Sequence, residues 1–224
     1  MKYLIINADD FGYSDIFNAK ILELLERSLV SSTTVMVNRI TDEQTKQIKK
    51  LLELKKSQNI SIGLHLEFSD ENFKPEIEKQ YAKFVSIFGF DPSHIDIHKS
   101  TFLRESFPIV IQFCKEKHLP CRNHNIVDVD VVKTKNEVMS GTKMSFEELK
   151  KTLESFKDNE TYEIFFHPGM YDLGCKSSLN KERELDTKKI EEIYPVIKEN
   201  NIQLISYLNL AALSSHENNL HIKQ

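Results

Sequence analysis

Short apolar runs alternate along the chain with longer amphipathic ones. Residues 3–8, 32–37, 60–68, 94–98, 120–123, 162–167 and 203–207 are brief and rich in β-branched and aromatic side chains, which predicts strands. Between the first two, Ile16, Ala19, Ile21, Leu22, Leu25 and Leu29 recur at the spacing of one helix face. Segments 43–57, 76–89, 105–118, 145–157 and 187–200 follow the same period. Strand and helix in strict alternation imply parallel strands joined by crossovers, either a closed barrel or an open doubly wound sheet. Residues 125–142 break the rhythm: "VDVDVV" offers at most one short strand, and the polar remainder ending in Ser-Gly predicts a long loop.

Both architectures place ligands at the carboxyl ends of their strands, and the polar residues of this chain gather there. Asp9 and Asp10 close the first run, His65 and Glu67 come late in the third, Asp96 and His98 end the fourth, and His167 ends the sixth before Pro168-Gly169. Two adjacent carboxylates at the end of an apolar strand need a cation or a shared proton to coexist. A divalent ion meets that need, with one aspartate as ligand and the other accepting a proton from water; helix or turn capping by Asp10 is the simpler alternative. Alternation in "GLHLEF" turns His65 away from Leu64 and Leu66, and in "HIDIHKS" it puts His94, Asp96 and His98 on one face. One aspartate and two histidines suit zinc or another first-row divalent ion. Asp96 or Glu67 would alternatively orient an imidazole from outside the metal shell. His94 comes first in its run and is not counted as a ligand. His167, held at a turn, is left for general-acid work.

Composition narrows the class. A formal net charge of -4 with mixed signs gives no electrostatic footprint for nucleic acid. Cys114, Cys121 and Cys175 are three in number without close spacing, which speaks against a disulfide framework or a cysteine zinc site. No run approaches the ~20 apolar residues of a membrane span, and the N-terminus lacks a basic and apolar leader. A cytoplasmic protein forming a single domain over residues 1–224, with a polar tail from about 214, is expected, and a homodimer is the base-rate assembly.

Together, "NADDFG" (7–12), "VSSTTVMVN" (30–38), "GLHLEF" (63–68), "HIDIHKS" (94–100), "FFHPGMYD" (165–172) and "KERELDTKKI" (181–190) resemble, in order, the motifs of the YdjC-like (ChbG/HpnK) carbohydrate deacetylases. The resemblance runs from residue 3 to about 208 and implies an irregular, TIM-like (β/α) barrel related to polysaccharide deacetylases. It implies metal-dependent removal of an N-acetyl group from an acetylated amino sugar, such as a phosphorylated chito-oligosaccharide. Carried over by position, Asp10, His65 and His98 would hold one divalent ion, Zn2+ or Mg2+. Asp9 would be the general base and His167 the general acid. Arg183, in the Arg-Glu segment after the His-Pro-Gly turn, is a candidate for binding polar or phosphate groups of the substrate, with a surface salt bridge as the alternative, and Asp96 and Glu67 are further substrate-binding candidates. Ser100 stands where the family often has a further histidine, and Ile16, Lys20 and Ser28 where it often has glycines, so substrate fit is where this member is expected to differ. A phosphoesterase on the same metal logic and a non-catalytic sugar-binding barrel are the competing readings.

Overall fold

The computed structural model describes residues 1–126, 130–210, 212 and 213. Its elements are β1 (Lys2–Phe11), α1 (Asp15–Glu26), β2 (Ser32–Val35), α2 (Thr45–Ser57), β3 (Ser61–Leu66), α3 (Phe73–Phe88), β4 (Ile95–Ile97), α4 (Leu103–Lys117), β5 (Met139–Ser140), α5 (Phe146–Glu154), β6 (Thr161–Phe166), α6 (Arg183–Glu199) and β7 (Ile202–Leu204). Among the described residues the strands form one seven-stranded sheet in the order β4-β3-β2-β1-β6-β5. All of its ladders are parallel. β6 takes one edge of β1 along Tyr3 to Ala8, so the other edge is shared by β7 at Lys2 to Leu4 and β2 from Asn7 to Phe11.

The sheet curls on itself. Beyond β4, Ile95 bridges Cys121, and on the far side of that segment the Val138 amide donates to the Asn123 carbonyl just before β5. Residues 120–123, which the sequence predicts as a strand, make only this single bridge, because their outer backbone partners lie in the irregular stretch at Val132 and Val138. The result is an irregular (β/α) barrel. Within the predicted long loop, Val131 and Val132 are not in a strand, while Met139–Ser140 is. Val127 to Val129 and the polar tail from 214 lie outside the described residues.

The helices start and stop for local reasons. Ser14 caps α1 by accepting from the Ile16 amide, and Ser145 with Glu148 forms a capping box on α5. α3 stops at Gly89, whose φ of 77° is left-handed. Their apolar faces bury Ile21, Leu24, Phe84 and Ile193 in the core cluster that contains the strands, each contributing about 1.5–3 kcal/mol on the usual area scale. This packing leaves the carboxyl ends of the strands to polar residues. The free thiols Cys114 and Cys121 are buried and Cys175 is half-buried. Among the described residues, no helix is long and apolar enough to cross a membrane.

Candidate active site

β1 does not stop at its two aspartates; it bulges there. Ala8 pairs with Thr33 and Phe11 with Val35, so Asp9 and Asp10 together face the single residue Thr34. Asp10 takes up the extra length with a φ of 72°, a left-handed conformation that aspartate tolerates better than most residues. Consecutive side chains that would alternate in a regular strand are thereby both buried at the rim, Asp9 2% and Asp10 1% exposed.

Asp10 Oδ1 lies 3.1 Å from His98 Nδ1 and 3.4 Å from His65 Nε2, and the two imidazole nitrogens are 3.2 Å apart. Tetrahedral zinc with bonds of about 2.0–2.2 Å separates its ligand atoms by about 3.3–3.6 Å, so the triangle has nearly the size of one face of such a site. Asp10 Oδ1 is buried and has no well-oriented hydrogen-bond donor. An acceptor left in this state beside two imidazoles fits a divalent cation, and the oxygen-nitrogen donor set does too. Arg183 Nη2 donates to the other oxygen, Asp10 Oδ2, at 2.6 Å, which leaves only Oδ1 turned to the histidines.

Asp96 stands behind His65, its Oδ2 3.0 Å from Nδ1. This is the place of a carboxylate that orients a metal-binding imidazole through its other nitrogen. Asp96 also receives Arg122 Nη1 and lies 3.2 Å from His124 Nε2. Asp9, His65 and Asp96 make a second cluster of possible ligand atoms. There, however, Arg122 donates to both carboxylates and supplies the positive charge that a metal would bring.

Burial alone would raise both β1 carboxyls. Against it, the His65 and His98 imidazoles hold Asp10 well below the usual carboxylate range, and the Arg122 guanidinium lowers Asp9. His65 is opposed by its burial, yet the Asp10 and Asp96 carboxylates push it up to about 10. A metal ion at that ring would have to displace its proton. Metal uptake at pH 7 is therefore expected to release about one proton per protein, measured by titration calorimetry in buffers of different ionisation enthalpy. The linkage also has a sign in the chelator-treated protein. The raised folded-state value stabilises fully below the ordinary histidine value of 6.5 and is lost as pH rises towards about 10. Its thermal midpoint should accordingly fall across that window.

Arg122 is the residue that sequence reasoning missed. It is 2% exposed, pairs with both oxygens of Asp9 at 2.8 and 3.0 Å, donates to Asp96, and reaches Glu163 Oε1 at 2.9 Å. Tyr207 donates to the other Glu163 oxygen. "PCRNH" at the end of a predicted strand was the available signal, since Arg122 and His124 fall at the same rim as the other polar strand ends. Asn7 in "NADD" also belongs here, donating to Asp9 Oδ1 and to Thr34 Oγ1.

A cavity of about 560 Å³ opens over these groups, lined among others by Asp9, Asp10, His65, His98, Arg122, His124 and His167. His167 Nε2 sits 4.0 Å from Asp9 Oδ2. Lys99, Lys143 and Lys176 also line it. Arg183 reaches the site only from behind Asp10, and Glu67 lies to one side. Arg183 is fully buried, its guanidinium 3.8 Å over the Phe17 ring. Glu67 pairs with Arg39 at 2.9 Å, and neither lines the cavity. His94 is buried below the site, stacked on Tyr207 with ring centroids 3.7 Å apart. A side chain at Gly63 would strike it, a Cβ there falling 2.4 Å from the His94 ring. Burial first, and then the Arg122 charge, lower His94 to about 3, so it stays neutral.

Fold and site together define a parallel (β/α) barrel with a polar cleft at its strand ends, centred on two aspartates and three histidines. The YdjC-like protein family model matches residues 3–75 and 71–199, and the chain belongs to that family. It is 28% identical over 249 residues to a carbohydrate deacetylase of Clostridium beijerinckii, covering 92% of this chain and 99% of the relative. It is 26% identical over 253 residues to a chitooligosaccharide deacetylase of Proteus mirabilis, covering 92% and 98%. An Enterococcus faecalis structure named for cellobiose-phosphate cleavage superposes with a TM-score of 0.73 at 22% identity, covering 93% of this chain and 98% of that one. A family 4 acetyl xylan esterase of Clostridium thermocellum, in complex with a cobalt ion, has the same fold at a TM-score of 0.55 and 14% identity, covering 96% and 92%.

Proposed function

We propose that the protein is a metal-dependent carbohydrate N-deacetylase that hydrolyses the acetamide of an N-acetylated amino sugar to acetate and a free amine. The observation that carries this reading is the Asp10-His65-His98 triangle, with Asp9 and His167 lining the same cavity but standing outside it. Family membership and the deacetylase names of the relatives support it.

Asp10, His65 and His98 would hold the divalent ion, which when bound would supply polarisation of the acetamide carbonyl and a lowered pKa for the attacking water. Asp9, lowered by Arg122 despite its burial, is ionised at neutral pH and accepts the proton as the water oxygen bonds to the carbonyl carbon. Arg122 keeps Asp9 in place through two hydrogen bonds. His167, across from Asp9, gives its proton to the sugar nitrogen as the C–N bond breaks, which prevents the departure of an amide anion. Lys99, Lys143 and Lys176 along the cavity suit an anionic group on the sugar, and phosphate is the candidate.

Acetate release from N-acetylglucosamine and chitobiose, each with and without a 6-phosphate, tests the activity in zinc- and magnesium-supplemented buffer. Release from at least one is expected, and more readily from the phosphorylated form; none from any, with metal bound stoichiometrically, would favour a binding protein instead. His65→Ala and His98→Ala are each expected to lose bound metal, measured by elemental analysis after dialysis, and to lose activity with it. Full metal content in both variants would sink the proposed triad.

A further inference from the structure

His167 has a second partner chain behind it that the reaction scheme above does not use. Its Nδ1 is 3.0 Å from Thr142 Oγ1, and Thr142 Oγ1 in turn donates to Asp186 Oδ2. Asp186 is 1% exposed and accepts the His167 backbone amide at 2.9 Å on the same oxygen. Its α6 neighbour Lys189, 3.6 Å from Asp186 Oδ1, donates to the carbonyls of Gly141 and Thr142 and so fixes the turn that carries the hydroxyl. Gly141 itself is required there, since a Cβ would fall 2.1 Å from the Phe166 ring. Two side chains from separate elements, His167 after β6 and Asp186 on α6, thus meet at one hydroxyl.

The direction of the chain follows from donor counting. A carboxylate is acceptor-only and a threonine hydroxyl has one proton. With that proton given to Asp186, Thr142 can only accept from His167, so Nδ1 carries a hydrogen. In the neutral ring Nε2 is then the bare nitrogen, and it is the one 4.0 Å from Asp9 Oδ2 at the cavity. We propose that Thr142 is a positioning residue for His167: its hydroxyl joins the imidazole to the buried Asp186 carboxylate and holds the tautomer that presents Nε2 to the cavity. A proton taken up at Nε2 is then the one delivered to the leaving amine, and the positive charge it creates is shared through the hydroxyl with Asp186. This rests on the deacetylase reading for its catalytic meaning, but the tautomer is a property of the protein alone.

The test uses the full-length protein and its Thr142→Val, Thr142→Ala and Thr142→Ser variants. Long-range 1H–15N correlation spectra, taken where His167 is neutral, should show the Nδ1–H tautomer in the parent and in T142S. T142V and T142A should both depart from it. In acetate-release assays kcat should fall about ten- to a hundredfold in T142V with KM within about twofold, and T142S should recover most of it. An unchanged His167 tautomer in T142V and T142A, or T142S as slow as T142V, overturns the relay. Tautomer changes as expected in a protein that deacetylates no sugar would uphold the relay and overturn the deacetylase reading.

Discussion

Arg122→Met is expected to be the most destabilising single change in the site, by about 3–5 kcal/mol at neutral pH, or a fall of roughly 10 °C in thermal midpoint for a chain of this size. The reason lies in what it leaves behind. Asp9, Asp96 and Glu163 are each within about 2% of complete burial, and all three bond to this one guanidinium. Methionine fills much the same volume but leaves three buried carboxyls without their guanidinium, and a buried ionised carboxylate short of counter-charge relieves itself by taking a proton. That gives the loss a pH signature. In the parent protein, burial raises Asp9 and Asp96, but Arg122 outweighs it and keeps both below the usual range. Their stabilisation is present above the ordinary carboxylate value of 3.8 and is lost as pH falls below it. In the variant these carboxyls titrate upward, so the difference between the two proteins should shrink as pH is lowered from 7 towards 4. Denaturant melts at several pH values read this directly. A penalty that is small, or independent of pH, would mean that Arg122 is not the counter-charge of the cluster.

Asp9→Asn is expected to separate chemistry from metal binding. The amide keeps the shape of the carboxylate and stands outside the Asp10-His65-His98 triangle, while Arg122 retains Asp96 and Glu163. Metal content should therefore match the parent. What is lost is the proton acceptor proposed for the attacking water, and kcat should fall by about 10²–10⁴, equivalent to roughly 3–5 kcal/mol of barrier. KM should change much less, because the base acts in the transition state. The measurement is acetate release alongside elemental analysis of the same sample. Turnover within a few-fold of the parent would remove Asp9 as the base, and loss of metal with loss of turnover would place it among the ligands.

Much of the site was legible in the order of residues along the chain. Period-two alternation in "GLHLEF" and "HIDIHKS" put His65 and Asp96 on the inward side of their strands, and both are buried there beside each other. The helices lie close to their predicted spans because 3.6-residue periodicity is a local property: segment 43–57 is Thr45–Ser57 and 105–118 is Leu103–Lys117. The 120–123 run was read as a full strand and makes a single bridge, and Met139–Ser140 was not singled out as a strand. Both errors concern very short segments whose pairing depends on neighbours far away in the chain, which no local pattern records. Arg183 shows the same limit in a side chain. Its place in the Arg-Glu segment after the His-Pro-Gly turn suggested a substrate contact or a surface ion pair, whereas it is buried on Phe17 with Asp10 as partner, 173 residues away in sequence.

By itself, then, the sequence determined the parallel α/β class, the rim at which chemistry collects, and the residue types offered there, because each is written in periodicity and in the order of strand ends. Tertiary structure alone decided how two adjacent aspartates divide their surroundings. The bulge opposite Thr34 and the left-handed Asp10 turn one carboxylate towards His65 and His98 and leave the other to Arg122. That division depends on strand register and on a cation contributed 113 residues away, and distances of that kind exist only once the chain has closed on itself.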